Sequence, residues 1–451
     1  MALWFSTDNT SSGYERLVYL PDNRRWHNIL RQESCRGDSV MSNTKTVMGQ
    51  ASNQYVKPLD VEDVFSTYLY NGNGGTQSIN NGIDLAGEGG LVWNKRRSGT
   101  DRHSLQDTER GPNKLLDSSD TLAETAITSV SSFNSNGFSL NTTNDIWNGA
   151  SSTYASWTFR KAPKFFDVVT YTGTGSAQNI SHDLGSVPGM IIVKQTNGTR
   201  DWPVYHRGID ATNPSHYKIP LNKTEARANE ANIWNDTEPT STHFTVGSDG
   251  ETGGNGNTYV AYLFAHNDGD GGFGAAGDAD IIKCGSYTAT GSPVDVNLGF
   301  EPQFIITRNV SRATEWNLQD TMRGMTDNSW TRVIPNDNSA DFSVTSSFIF
   351  PTATGFKVTS VGNEFGNAGE TVIYIAIRRG TKVPESGTEV FAATNMSSST
   401  LADTGFAVDL SIDSSRTSTS SKFVNDRLRG SGVYMNTDGT TAEQTGGSRH
   451  F

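Results

Sequence analysis

The sequence predicts an all-β chain of tandem antiparallel β-sandwich repeats, each about 100 residues long, arranged as an elongated string. Three observations predict it. Only 34% of the 451 residues are hydrophobic while 46 are glycine. With abundant Ser, Thr and Asn, that mixture disfavours helix and suits short strands joined by many turns. Strand-like phrases return several times in one order. An Arg-Gly pair returns with them about every 100 residues, the spacing of whole domains and not of solenoid rungs.

The elements follow in chain order. Residues 1–60 do not match the repeats. They carry basic, low-periodicity text such as Arg24-Arg25-Trp26 and read as an irregular N-terminal arm, for attachment or as an upstream extension if Met41 is the native start. The first repeat, 61–167, opens on Tyr68-Leu69-Tyr70-Asn71-Gly72, runs through the apolar Gly90-Leu91-Val92-Trp93, reaches Arg110-Gly111, and closes on Tyr154-Ala155-Ser156-Trp157-Thr158-Phe159. The second, 168–268, has Val169–Gly173, Met190–Val193, Arg207-Gly208 and Tyr259–Phe264 in the same order. A Gly/Asp-rich stretch at 269–280 reads as a flexible linker. The third, 281–380, has Gly285–Ala289, Phe304–Thr307, Arg323-Gly324 and Val372–Ile377. Residues 381–451 read as a linker and a truncated fourth repeat. It carries Arg429-Gly430 but no closing strand, as expected of the front part of a longer protein. The closing strands alternate in polarity, which predicts one buried and one solvated face. Helix is expected only as a turn or two at Glu225–Ala231.

Composition excludes several classes. A formal net charge of −12 repels nucleic-acid phosphates, so a nucleic-acid partner is not expected. No run of about 18 apolar residues is present, so no membrane insertion is expected. Two cysteines, Cys35 and Cys284, make neither a disulfide framework nor a zinc signature.

Candidate sites are few. In the four pairs Arg110-Gly111, Arg207-Gly208, Arg323-Gly324 and Arg429-Gly430, each Arg is expected to bond a turn or pair with a carboxylate, and each Gly to supply a positive φ. Trp147, Trp202, Trp234 and Trp316 sit beside polar residues. They are the candidates for stacking on a sugar ring, against the alternative that each anchors a core. Arg36-Gly37-Asp38 is an integrin-type tripeptide of the kind short matches produce by chance. The oxygen-rich His266–Gly272 fits neither the EF-hand nor the Gly-Asp calcium repeat. His182, His206, His216 and His243 lack metal-ligand spacing. No catalytic residue, metal or cofactor is assigned.

Three phrases carry a resemblance: Val61 to Tyr70 (VEDVFSTYLY), Ser156 to Asp167 (SWTFRKAPKFFD) and Tyr259 to His266 (YVAYLFAH). From about residue 60 onward the chain resembles the tandem repeat domain of unknown function in tail-fibre and structural proteins of marine tailed phages, of the cyanophage and pelagiphage type. The resemblance implies a virion location, with the chain made in the bacterial cytoplasm and extracellular after release. It implies a non-enzymatic tail-fibre-type protein that spaces and presents a host-surface binding region. The implied partners are other phage tail proteins and a host-surface glycan or protein, and the implied assembly is a homotrimer. The alternatives are a depolymerase tailspike, which usually shows β-helix rungs and a paired-carboxylate groove, and a bacterial surface adhesin or carbohydrate-binding module.

Overall fold

The computed structural model describes residues 57–327, 330–344, 348–359, 362–384, 386–394, 408–426, 429 and 433–445. The N-terminal arm over residues 1–56, Cys35, the Arg36-Gly37-Asp38 tripeptide and Gly430 lie outside the described residues.

Each of the three full repeats contains a four-stranded antiparallel motif with one strand order. In the first, the opening strand Phe65–Asn71 pairs with the closing strand Thr153–Arg160. That strand pairs with the central strand Gly90–Arg96, which pairs with a fourth strand, Ser104–Asp107. The second repeats this with Phe166–Thr172, Thr258–Ala265, Pro188–Gln195 and Pro203–His206, and extends the sheet by two more strands. The third repeats it with Ile282–Thr288, Thr371–Arg378, Pro302–Asn309 and Asn317–Asp320. A smaller sheet covers one face of each. In the first repeat it is Thr76–Asn80, Gly137–Asn141 and Val130–Asn134. Ile79, Phe138 and Leu140 of that layer enclose a core with Val92, Trp147 and Tyr154. The architecture is therefore all-β and of sandwich type. The α-helices among the described residues are single four-residue turns, Val61–Val64, Leu85–Glu88 and Ala231–Trp234. The expected helix at Glu225–Ala231 is absent: Thr224 and Arg227 bond the backbone of the third repeat, Ala228–Asn229 pairs as a strand with Tyr217 and Lys218, and a helical turn begins only at Ala231.

The repeats are not strung end to end, which corrects the expectation of an elongated string. The second face of each four-stranded sheet is buried against the other two repeats in one shared core. Phe159 is its hub: its ring lies 5.1 Å from Phe65, 5.4 Å from Phe264 and 6.0 Å from Phe304, centroid to centroid, so all three repeats meet there. The closing strands are thus buried on both faces, not on one as their alternation suggested. Ser156 and Thr158 are as inaccessible as Trp157 and Phe159. The same burial removes Val372–Ile377 from the surface. These residues pack inside their own chain.

The stretch 269–280, expected to be a flexible linker, is packed, together with the residues just before it. The Asn267 side chain accepts from the Ile281 and Ile282 amides and donates to the Lys164 carbonyl. Phe273 is buried against Phe165, and the Asp280 carboxylate accepts from the Gly269 and Gly271 amides. Entry and exit of the three-repeat unit are tied together: Thr381 Oγ1 accepts from the Val61 amide at 3.0 Å, and Glu62 accepts from the Thr381 amide at 3.0 Å.

Candidate functional site

The polar chemistry concentrates at three junctions between repeats. At each, the loop after one repeat's fourth strand lies along the turn after the next repeat's central strand. The amide of Glu124 donates to the Thr196 carbonyl at 2.8 Å, that of Arg227 to Val310 at 3.1 Å, and that of Asp341 to Arg97 at 3.1 Å. In return Arg200 donates to Thr121, Thr314 to Thr224 and Asp101 to Asn338. The first repeat thus grips the second, the second the third, and the third the first. This is a heterologous contact that closes after three steps, made within one chain.

A buried cation sits at the same place in each central strand. Lys95, Lys194 and Arg308 are fully removed from solvent, and each donates to one backbone carbonyl of the preceding repeat, the two lysines also to carbonyls of their own repeat. Lys95 Nζ donates to Asn338, Lys194 Nζ to Thr121 at 2.9 Å, and the Arg308 guanidinium to Glu225 at 2.6 Å. Burial pushes both lysines down to about 8 and Arg308 down to about 10. A buried cation that finds carbonyl oxygens is tolerated, whereas one without them is expelled or neutralised.

The residue ending each fourth strand does two jobs. Asp107 Oδ1 accepts from the Arg110 amide and caps its own turn, while Oδ2 accepts from Tyr262 Oη of the second repeat at 2.8 Å. Asp320 does the same with the Arg323 amide and, at 3.0 Å, with Trp157 Nε1 of the first repeat. Between the second and third repeats the position is filled by His206. The strand register pairs His206 with Met190, as Asp107 pairs with Leu91 and Asp320 with Phe304. Its Nδ1 accepts from the Gly208 amide at 3.0 Å, which places the proton on Nε2, donating to the Tyr374 carbonyl at 3.0 Å. Burial holds this imidazole neutral, with its pKa lowered to about 3.

Three of the four Arg-Gly arginines pair with the aspartate three residues before them. Arg110 pairs with Asp107 at 2.6 Å and Glu124 at 3.1 Å, and Arg323 with Asp320 at 2.6 Å and Asp341 at 3.1 Å. Burial opposes both charges, but the surrounding carboxylates, with Tyr262 beside Arg110, outweigh it and raise both pKa values. Gly111 and Gly324 take φ of +91° and +105°. Arg429 pairs with Asp426 in the fourth repeat. Arg207-Gly208 departs from the expectation. The turn is two residues shorter, so Arg207 takes the backbone position of Thr108: their amides donate to the Gly189 and Gly90 carbonyls respectively. Arg207 is exposed. Gly208 lacks a positive φ, and a Cβ there would come within 3.1 Å of the Gly285 backbone and 3.0 Å of the Ser286 side chain, so close packing is its reason.

The four candidate sugar-stacking tryptophans are corrected. Trp147 is 0% exposed, Trp202 0%, Trp234 2% and Trp316 1%, so none offers a ring face to a ligand. Trp147 packs on Phe138 and Trp234 on Tyr205. Trp202 and Trp316 belong to the junctions, donating to the carbonyls of Asp120 and Pro220 in the preceding repeats, both at 2.9 Å. Among the described residues no group of three or more His, Cys, Asp or Glu is placed to hold a metal ion, and no helix is long and apolar enough to cross a membrane.

One surface feature beside the shortened turn was not legible in the sequence. A groove of about 600 Å³ lies there, lined by Val187, Pro188, Tyr205, Arg207, His266 and Asp268 among others. His266 Nδ1 accepts from the Cys284 amide at 3.2 Å. Burial, reinforced by Arg207, lowers its pKa to about 4.

No curated protein matches the chain. A family model described as Domain of unknown function (DUF7483) matches residues 60–379, the span from the first residues of the opening repeat to the exit of the third. One family unit is therefore the whole closed set of three repeats, and the chain belongs to the DUF7483 family of domains of unknown function.

Proposed function

We propose that this chain is a non-enzymatic virion structural protein of the tail-fibre type. On this reading the three-repeat unit is a stiff module that spaces and presents a host-contacting surface, with other tail proteins and a host-surface glycan or protein as partners. The observation that carries it is the use of the buried polar chemistry. Lys95, Lys194, Arg308, Asp107, His206 and Asp320 are all committed to joining repeats, as befits a part whose task is to hold its shape. Antibody against the purified chain should label the tail of the phage particles that encode it. Labelling confined to infected-cell debris overturns the reading, and reducing ends released from host polysaccharide by the purified chain would overturn its non-enzymatic part.

We propose the groove beside Arg207 as the host-contacting surface, with a carbohydrate as the ligand class. Grooves of this kind bind by a few placed polar groups over an apolar floor. Arg207→Ala is expected to weaken cell binding by the chain at least tenfold without changing its melting temperature. Unchanged binding removes the groove from the reading.

A further inference from the structure

The three repeats bring equivalent residues to the surface, and at one place the second departs from the other two. Phe159, Phe264 and Ile377 share one register, facing Phe65, Phe166 and Ile282 of the opening strands. The residues two positions further on are therefore equivalent: Lys161, His266 and Arg379. The two cations are held by carboxylates. Lys161 pairs with Glu109 at 2.9 Å and Asp167 at 3.3 Å, and Arg379 pairs with Glu301 at 3.5 Å and with Asp409. In the second repeat both sides of this pairing are gone. The cation has become His266. Pro188 faces Ala265 as Pro302 faces Arg378, so Val187 stands where Glu301 does, and Val187 is 50% exposed. Arg207 adds an exposed guanidinium where the first repeat has Thr108.

These changed residues all line the groove, and they leave it with hydrogen-bonding capacity to spare. His266 Nδ1 accepts from the Cys284 amide, so the proton sits on Nε2. Burial keeps the imidazole neutral, with its pKa lowered to about 4. Among the described residues neither this Nε2 proton nor the Arg207 side chain meets an acceptor. Of the acceptors, Glu238 is saturated, taking Tyr205 Oη at 2.7 Å and the Ser215 amide at 2.8 Å. Asp268 and Asp270 are exposed. Asp270 Oδ1 accepts from the Asp268 amide, and the Asp268 carboxylate lies 3.7 Å from Lys283 Nζ.

The charges then select the ligand. Arg207 stands among the carboxylates of Glu238, Asp268 and Asp270, on a chain whose net charge is −12. A sugar carrying a carboxylate or sulfate enters against that potential. An amine satisfies the aspartates but faces Arg207 and leaves both donors empty. A hydroxyl donates and accepts at once, so two hydroxyls can meet both donors and both aspartates and bring no charge. We infer that the groove takes a neutral saccharide, held by two adjacent hydroxyls between Arg207 and His266 on one side and Asp268 and Asp270 on the other, with its C–H face on Val187 and Pro188. The inference rests on the groove being the carbohydrate-contacting surface.

The test applies the full chain at neutral pH and low salt to immobilised oligosaccharides in matched pairs: glucose with glucuronate, galactose with galacturonate and mannose with mannuronate. The expected result is saturable binding of at least one neutral member, with its uronate bound roughly tenfold more weakly or worse, and a gap that narrows as salt screens the charges. Val187→Glu restores the residue of the third repeat and adds a carboxylate to the groove. It is expected to weaken binding of the neutral member by roughly tenfold or more at an unchanged melting temperature. Arg207→Ala acts in the same direction by removing a donor. A uronate bound as tightly as its neutral partner, or more tightly, overturns the inference and leaves the carbohydrate reading standing. Binding to no member of any pair, or binding that both substitutions leave unchanged, overturns the two together.

Discussion

Two kinds of junction close the three-repeat unit, and they achieve one geometry with different chemistry. Where the first repeat meets the second, and the third meets the first, an aspartate shares its two oxygens between its own turn and an aromatic donor from the neighbour, with a buried arginine alongside. Where the second meets the third, a neutral histidine makes both contacts, the outer one to a backbone carbonyl. Ile375 there occupies the place of Trp157 and Tyr262, since Ile282 pairs with Ile377 as Phe65 pairs with Phe159 and Phe166 with Phe264. The backbone bonds between loops are common to all three junctions. The difference teaches that the loop contacts set the arrangement, while the side-chain pair is a filling that can change sign and polarity so long as each buried atom finds a partner.

Breaking one partner at each kind of junction should separate them most. Asp320→Ala leaves Arg323 buried beside Asp341 alone, and the loss of a buried ion partner costs about 3–5 kcal/mol. His206→Ala leaves one amide and one carbonyl unsatisfied, at about 1–3 kcal/mol each, but strands no buried charge, whereas Asp320→Ala strands Arg323 and orphans the Arg323 amide and Trp157 Nε1 as well. Denaturant midpoints on the two variants test the ranking, and equal losses would show that the ion pair is no more exacting than the imidazole.

Acid should act on the histidine junction. The folded-state pKa of His206 is about 3 and that of His266 about 4, both below the unfolded value of about 6.5. The unfolded chain therefore binds more protons in this window, and stability is lost as pH falls from about 6.5 toward 4, by up to about 1.4 kcal/mol per unit for each histidine. His206→Asn keeps one acceptor and one donor and is expected to shallow the slope in melting experiments between pH 6.5 and 4. An unchanged slope would place the acid sensitivity elsewhere.

The smallest effects sharpen the comparison between the two aspartate junctions. Trp157→Phe and Tyr262→Phe each delete one donor to an aspartate that keeps its arginine, so each is expected to cost about 1–2 kcal/mol. A much larger loss for Trp157→Phe than for Tyr262→Phe would point to the contacts of the indole with Trp93 and the Arg323 guanidinium, which Tyr262 does not make.

The succession of strands along each repeat was legible because each strand is bounded by turn residues and the phrases recur in sequence, whereas the pairing of opening with closing strand was not. Their packing on a shared core was not, since alternation in Tyr154–Phe159 speaks for one buried face and hydroxyls such as Ser156 and Thr158 satisfy themselves without water. The near-continuous apolar runs Val260–Phe264 and Val372–Ile377 carried the contrary signal, as strands buried on both faces do. The junction cations were visible as a basic residue interrupting each central strand at Lys95, Lys194 and Arg308. No pattern rule assigns them a partner across the junction, because those partners are the backbone carbonyls of Asn338, Thr121 and Glu225, each in another repeat. Arg207 was misaligned because the Arg-Gly spelling survives a two-residue deletion. The missing aspartate three positions earlier, where Val204 stands, was the clue. The core alternative is the one that holds for all four tryptophans: Trp147 and Trp234 pack within their own repeats, and Trp202 and Trp316 at junctions that only the fold brings together.

Closure within a single polypeptide has a consequence for variation. In a ring of three identical subunits every substitution is made three times at once, so a change from aspartate to histidine at the joint must be matched simultaneously at all three. Here each joint is encoded separately, and one has moved to His206 facing a main-chain carbonyl while the other two keep their charges. Such a unit can alter one side of its surface, as the shortened turn at Arg207 does, and leave the other two sides as they were.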